Sequence, residues 1–538
     1  MNMKRDMHIG SAAPAGDAHA GTGGAQWTRL LLWAVLVVVS GLVLFYAVEN
    51  YRGWRAWKAE EARLRQSGEP LTWKDLLSAA PQPEENLAAA PIYAQMFDAL
   101  YGELAEPGVS NRLDAMHAVQ RRVVIELAPR GYGSRLPDIR PWMQGRLVDL
   151  EAWAAHFRNP EQPDQVERPF PGAPEGSPAA AQVLAALSLY EEQFRQIEEA
   201  ARRPRARFPV RYEDNADALL PHLYLLRSHV TALVLRGVSY LRLGRADEAY
   251  RDWQTARRLV AALEEEPILV SQMARVAAHL MTVQIPWEAM ALRAWDVAKW
   301  QAVRKEMERS DFILPLHRAL RGERVLELSS IEQVRRNRGL VAGTPIFEGS
   351  DPSLLVELAR WVPSGWYRQN MVRLSRFYSA VIASVPAADP LVPDWEALER
   401  LQRQVEPHGV AGPYNFVVRI WAPPVFNIVR RIVTAQAVAR ECCTAAVLEQ
   451  YRVERGEFPA DLQSVAGGAS WARDPFDGKP LRYSRTGPQA FVLYSIGPDR
   501  RDDGGQSEVA KGSRWPEDLV WRVPPAASGD RPAGAGGR

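Results

Sequence analysis

Leu30-Leu-Leu-Trp-Ala-Val-Leu-Val-Val-Val-Ser-Gly-Leu-Val-Leu-Phe-Tyr-Ala-Val48 is a run of nineteen residues without a charge. As a helix rising 1.5 Å per residue it covers about 28 Å, close to the hydrocarbon thickness of a bilayer. It predicts a single transmembrane helix near the N-terminus, with the lipid bilayer as its partner. The alternative is a cleaved signal peptide. Against it, the apolar core is longer than the usual 7–15 residues and no Ala-x-Ala cleavage site follows. Trp27 and Trp33 on one side, and Tyr46, Tyr51, Trp54 and Trp57 on the other, stand where interfacial aromatic belts form.

The flanks give orientation less plainly. Lys4, Arg5 and Arg29 precede the span, whereas Arg52, Arg55, Lys58, Arg63 and Arg65 follow it. The positive-inside rule applied to that count puts the large C-terminal part in the cytoplasm. The helix is expected to continue through Arg65 and to stop at Gly68-Glu-Pro70, because proline cannot extend it.

The remaining chain has a soluble composition. Apolar residues at 47% and charged ones at 24% allow buried cores, and 538 residues correspond to about three or four domains. A net charge of +2, with no basic run interleaved with aromatics, argues against nucleic acid as a partner. Two adjacent cysteines, Cys442 and Cys443, exclude a disulfide framework and a cysteine-built zinc site. On a helix they point about 100° apart, which makes them small packing residues. The eighteen tryptophans are scattered and read as core and interface packing.

Divided by composition, the chain has a tail over 1–26, then the anchor and juxtamembrane helix over 27–66. A helical region follows over 67–158, and a proline-rich linker over 159–178, where proline removes backbone donors. A helical domain spans 179–340 and a further helical region 341–424. A C-terminal module occupies 425–510, and 511–538 is a tail, flexible after about 524. The fold class is mainly α, with a helical bundle or solenoid-like middle and a small α+β module at the end.

No His-Glu-x-x-His, Gly-x-Ser-x-Gly or Gly-x-x-x-x-Gly-Lys motif occurs in the sequence. His222 and His229 share a helical face but lie two turns apart, about 10.5 Å, too far for one metal ion. His117, His156, His279, His317 and His408 stand alone and read as surface or satisfied core residues. No catalytic residue is assigned.

Three stretches resemble known families. Glu49-Asn-Tyr-Arg-Gly-Trp, with Gly68-Glu69 and Pro81-Gln-Pro83 ahead of Asn86, resembles a group of single-span bacterial membrane proteins of no known activity. Within Val230–Leu259, Gly237, Tyr240, Ala249, Trp253 and Ala256, with Gly244 at the turn, are spaced like one tetratricopeptide hairpin. Arg236 and Ala261 depart from that pattern, and no second copy lies 34 residues away, so one helical hairpin inside a larger bundle is the simpler reading. From Val425, a long helix, Tyr451, Gly456, Phe458-Pro459, Asp474-Pro475, Gly478, Tyr483, Tyr494-Ser495, Gly497 and Asp499 resemble the globular part of the type II secretion major pseudopilin.

That last resemblance covers about 80 residues and implies a pilin-like module with a calcium-binding closing loop. Carried over, Asp499, Asp502 and Asp503 are the ligand candidates and Glu508 a weaker one. Calcium takes six to eight hard oxygens from a flexible loop. Arg500 and Arg501 interrupt the acids, and a solvated turn explains them equally. The anchor lies about 380 residues upstream of this module and lacks the family's Phe-Thr-Leu-x-Glu start, so assembly into a pilus is not expected. The resemblance implies an extracytoplasmic location at a bacterial inner membrane, against the charge count. The expected role is a membrane-anchored scaffold engaging other envelope or secretion proteins; the alternative is an envelope hydrolase whose site is assembled from scattered residues.

Overall fold

The computed structural model describes residues 22–102, 112–127, 136–158, 169–337, 361–389, 391–405, 412–506 and 518–524. The chain is mainly helical, with one long apolar N-terminal helix and a small three-stranded antiparallel sheet near the C-terminus. Helix α1, Thr22–Gln66, runs 45 residues without a break. Among the described residues it is the one helix long and apolar enough to cross a membrane, and its apolar part is unburied. Beyond Val48 its environment changes: Glu49 is 5%, Glu60 1% and Leu64 0% exposed. It ends as the sequence predicts. Gly68 adopts φ +69°, and the Gly68 and Glu69 N–H groups donate to Arg65 and Leu64 carbonyls, closing the last turn.

Several helices build the body. They are α2 (Pro91–Tyr101), α3 (Arg112–Val123), α4 (Leu150–Arg158), α5 (Ala179–Leu187) and α6 (Glu191–Ala201). Then come α7 (Pro221–Arg242), α8 (Ala246–Ala261), α9 (Leu269–Thr282), α10 (Gln284–Ala291), α11 (Val297–Glu308) and α12 (Ile313–Arg336). After these follow α13 (Ser364–Ala383), α14 (Trp395–Val405) and α15 (Pro423–Arg455). One hydrophobic cluster runs through them from Trp73 to Val523, across the boundaries composition had drawn. The Arg130–Ser134 and Gly349–Pro352 joins, and the first half of the proline-rich linker (159–168), lie outside the described residues.

Helices α7 and α8 form the expected hairpin, with Gly244 at φ +74° in the turn. A Cβ on Gly237 would lie 2.7 Å from Ile285 Cδ1 and 3.5 Å from Asp252 Cβ, so α7 meets α8 and α10 closely there, and a larger residue would need the Ile285 side chain to shift. Arg236, where the repeat pattern has an apolar residue, is buried and answered by Asp252, its Nη2 2.5 Å from Oδ1. The same nitrogen reaches Glu198 at 2.7 Å, and the guanidinium covers the Phe194 ring at 3.8 Å. Both carboxylates keep the Arg236 charge on despite its burial.

The C-terminal helix α15 is more deeply placed than a one-sided stripe requires. Val433, Ala435, Ala437, Val438, Ala439, Cys442, Cys443, Ala445 and Ala446 are all 0% exposed. Helices α9, α11, α12 and α14 and the sheet pack around it, and its run of small side chains admits them closely. Gly456, at φ +83°, caps its end. Strand β1 (Arg482–Gly487) pairs with β2 (Ala490–Ser495), and β2 with β3 (Leu519–Val523), in the order β1-β2-β3. The first two strands lie where expected. The third lies in the stretch assigned to the C-terminal tail, with Leu493 opposite Trp521 in register. Trp521 is fully buried and meets Trp142 with ring centroids 6.1 Å apart, tying the sheet to the N-terminal half of the body.

The C-terminal half of α1 is bound to the body by a continuous seam. A Cβ on Gly365 would fall 1.9 Å from the Glu49 carbonyl oxygen, and one on Gly53 2.3 Å from the Gly365 oxygen. The two helices therefore touch through backbone. Three α1-side carboxylates receive donors from the body. Glu49 accepts from Trp366 Nε1 at 3.0 Å and from the Tyr414 hydroxyl at 2.7 Å. Glu60 accepts from the Ser375 hydroxyl at 2.8 Å and Arg376 Nε at 3.1 Å. Glu69, just past the helix end, accepts from Arg321 at 2.9 Å and Arg324 at 2.6 Å. Burial pushes the Glu60 and Glu69 carboxyls up, but these donors, with Arg63 on Glu60, outweigh it and hold both below the usual range.

Candidate functional site

The carried-over calcium ligands sit in the turn after β2, each engaged locally. Asp499 Oδ1 accepts the Arg501 N–H at 3.1 Å. Asp502 Oδ1 accepts from the Tyr494 hydroxyl at 2.9 Å and the Gly504 N–H at 3.2 Å, and its Oδ2 lies 3.5 Å from Arg482 Nε. The backbone N–H of Asp503 is directed to Asp518. Glu508 lies outside the described residues. Among the described residues no three His, Cys, Asp or Glu side chains converge to hold a metal ion, and the charge nearest Asp502 is a guanidinium. Arg482 gathers the loop instead, also binding Asp474 at 2.9 Å and Asp477 at 2.6 Å.

The histidines are mostly inside. His229 Nε2 donates to the Val123 carbonyl at 2.8 Å, which leaves Nδ1 to accept the Tyr93 hydroxyl at 3.2 Å. Burial lowers its pKa to about 4. His222 stacks on Phe208 and lies 3.7 Å from Glu266, whose Oε2 also accepts from the Tyr212 and Ser271 hydroxyls. His156 Nε2 donates to the Leu127 carbonyl at 2.7 Å. His408 lies outside the described residues. Cys442 and Cys443 are free, fully buried, and have thiols pushed up by burial, Cys443 to about 12. They are inert packing residues, as their spacing implies.

A cavity of about 360 Å³ opens between α8, α9 and α11, a size at the lower end of small-molecule sites. One face of α8 supplies Tyr250, Trp253, Arg257 and Arg258; α9 supplies Arg275; the end of α11 and the residues after it supply Glu306, Arg309 and Ser310. Arg257 is 5% and Arg275 2% exposed. Arg257 donates to the Ser310 hydroxyl at 2.8 Å and contacts His279 Nδ1 at 2.7 Å, with Glu306 at 3.4 Å. Arg275 donates to the Asp311 carbonyl at 2.9 Å, lies 3.3 Å from Glu264, and covers the Phe312 ring at 4.4 Å. Burial lowers the pKa of Arg257, Arg258 and Arg275, the last to about 10. The nearby His279 is held well below its ordinary value by burial and by Arg257 and Arg275, so it adds no charge.

The cavity was not visible in the sequence. Trp253 read as a packing residue of the hairpin, and Arg257 and Arg258 belong to no motif. The arginine that completes the group, Arg275, comes from the next helix. Four positions of α8 at helical spacing, aromatic then basic, were the one local sign. No protein-family model, curated protein or solved structure matches the chain.

Proposed function

We propose that this chain is a single-span, membrane-anchored scaffold or interaction protein of the bacterial cell envelope, with an accessory place beside secretion proteins as the narrower form. The observation that carries the reading is the seam between α1 and α13. The apolar helix continues without a break into a segment whose glycines and carboxylates are built into the body. A signal peptide cleaved near Val48 would sever that helix at the residue preceding the buried Glu49. An uncleaved anchor keeps it whole and fixes the body's orientation at the bilayer surface. The helix, hairpin and third strand at the C-terminus support the pilin-like form of the module.

Two measurements test this. A reporter fused after Arg538, beyond β3, reads the side of the membrane. Signal outside the cytoplasm is expected, and a cytoplasmic signal overturns the envelope location. Crosslinking in intact membranes is then expected to return a defined set of envelope proteins. Recovery of the chain alone overturns the scaffold and leaves the envelope hydrolase.

A further inference from the structure

We infer that the cavity between α8, α9 and α11 is a binding site for a small oxyanion-bearing molecule, a phosphate ester or a carboxylate, held by Arg257, Arg275 and Arg309. The inference stands apart from the scaffold reading and holds for either membrane orientation.

Charge comes first. Four arginines line the cavity against two glutamates, Glu264 and Glu306, which leaves an excess of two positive charges. The two acids are already spent on Arg275 and Arg257, at 3.3 and 3.4 Å. Those two pairs leave the charges of Arg258 and Arg309 to be balanced within the cavity, and an oxyanion there balances them, its geometry matched by guanidinium forks.

Unsatisfied donors come second. Arg275 Nε is buried with no hydrogen-bond partner, and so is the indole N–H of Trp253, another lining residue. Buried donors of this kind are normally paired. The aromatic wall comes third. Tyr250 and Trp253 stack with centroids 5.7 Å apart at 27°, and Trp295 meets both edge-on. A planar apolar group attached to the anion has a surface to lie on. Depth decides the size class: at 5% and 2% exposure, Arg257 and Arg275 are beyond the reach of a folded protein surface.

The test is calorimetric titration of the full-length chain in detergent, at fixed ionic strength in chloride, with inorganic phosphate, phenyl phosphate and benzoate. Saturable binding is expected, with phenyl phosphate about tenfold tighter than phosphate because of the aromatic wall. Binding of the phosphates without benzoate narrows the ligand to phosphate esters; benzoate alone narrows it to carboxylates. Arg309→Glu, at the exposed rim, is expected to leave the ligand-free melting temperature unchanged and weaken binding about tenfold or more. Trp253→Phe removes the unpaired indole donor, so affinity is expected to fall; because it also shrinks a buried side chain, its binding is measured well below its own melting temperature. Arg275→Gln is expected to abolish binding; if it fails to fold, the other two variants decide. No saturable binding of any of the three anions, or binding indifferent to Arg309→Glu and Trp253→Phe, overturns the inference.

Discussion

Glu49 and Trp366 stand 317 positions apart and share a hydrogen bond of 3.0 Å, the indole Nε1 donating to the carboxylate Oε2. Glu49 is the first charged residue after the apolar stretch, so this bond joins the end of the apolar part of α1 to the body at its first opportunity. Glu49→Ala strands the Trp366 indole and the Tyr414 hydroxyl as well as Arg52, and should cost about 1–3 kcal/mol. Gly365→Val should do more, because even its Cβ would overlap the Glu49 carbonyl and force the helices apart. Limited proteolysis between residues 49 and 66 checks both: cleavage should be slow in the native chain and rapid in Gly365→Val.

Arg236 and Asp252 are the pair that makes the α7–α8 hairpin unlike a repeat unit. Removing one partner leaves a buried charge, so Asp252→Asn or Arg236→Leu alone should destabilise by about 3–5 kcal/mol. Replacing both by leucine should recover most of that loss, since an apolar pair needs no compensation. Denaturant unfolding of the two single variants and the double variant gives the coupling energy directly.

His229 predicts a pH dependence with a definite sign. Its folded-state pKa of about 4 lies below the ordinary 6.5, so the folded chain binds fewer protons than the unfolded one. Its contribution is fully present above about pH 6.5 and is lost as the pH falls through about 4, amounting to about 3 kcal/mol over that window. His279, lowered for the same reason, acts in the same direction. The difference between native and His229→Gln unfolding free energies at pH 7.5, 5.5 and 4.5 isolates the residue. The native chain should lose stability more steeply.

Strand β3 makes the C-terminal residues structural. Trp521 is 0% exposed and lies against Trp142, so Trp521→Ala should cost about 3–5 kcal/mol by leaving a cavity at the sheet's junction with the body. Truncation after Gln506 removes the strand entirely and exposes the β2 edge, with aggregation expected. Size-exclusion chromatography of the truncated chain, beside denaturant unfolding of Trp521→Ala, checks both.

What was legible in the sequence was local. Nineteen uncharged residues announced the span, Gly68 and Gly456 announced helix ends, and Gly244 with its small and aromatic neighbours announced the hairpin. Each is a signal carried within one or two turns of chain. What stayed hidden was assembled across the chain. The β3 pairing with β2 was hidden because its five residues lie in a stretch whose composition read as tail, ahead of a glycine-rich sequence. The partners of Glu49 lie more than 300 positions away, and the arginine cavity draws on separate helices. Arg236 looked like a defect in a pattern until Asp252, sixteen positions on and in the opposing helix, turned out to pair with it. For the acids Asp499, Asp502 and Asp503, proposed as ligands from a resemblance, the sequence did not show that Arg482 of β1 lies beside Asp502.

Trp361 gives the most direct test of how the body meets the bilayer. It belongs to the body, just before α13, yet its carbonyl accepts the hydroxyl proton of Tyr46, a residue inside the predicted span. Its side chain is 72% exposed, and Phe45 packs edge-on against Trp366 at 6.3 Å. A large aromatic held outward at the depth of Tyr46 belongs in the lipid interface, where tryptophan is favoured. The two native thiols are fully buried, so Trp361→Cys offers a single accessible site for a spin label. In reconstituted bilayers the label should collide more readily with apolar oxygen than with a water-soluble nickel chelate, and a label at exposed Trp54→Cys, two turns further on, should show a lower ratio. If both labels respond like free solvent sites, the body stands off the membrane and α1 tethers it without docking it.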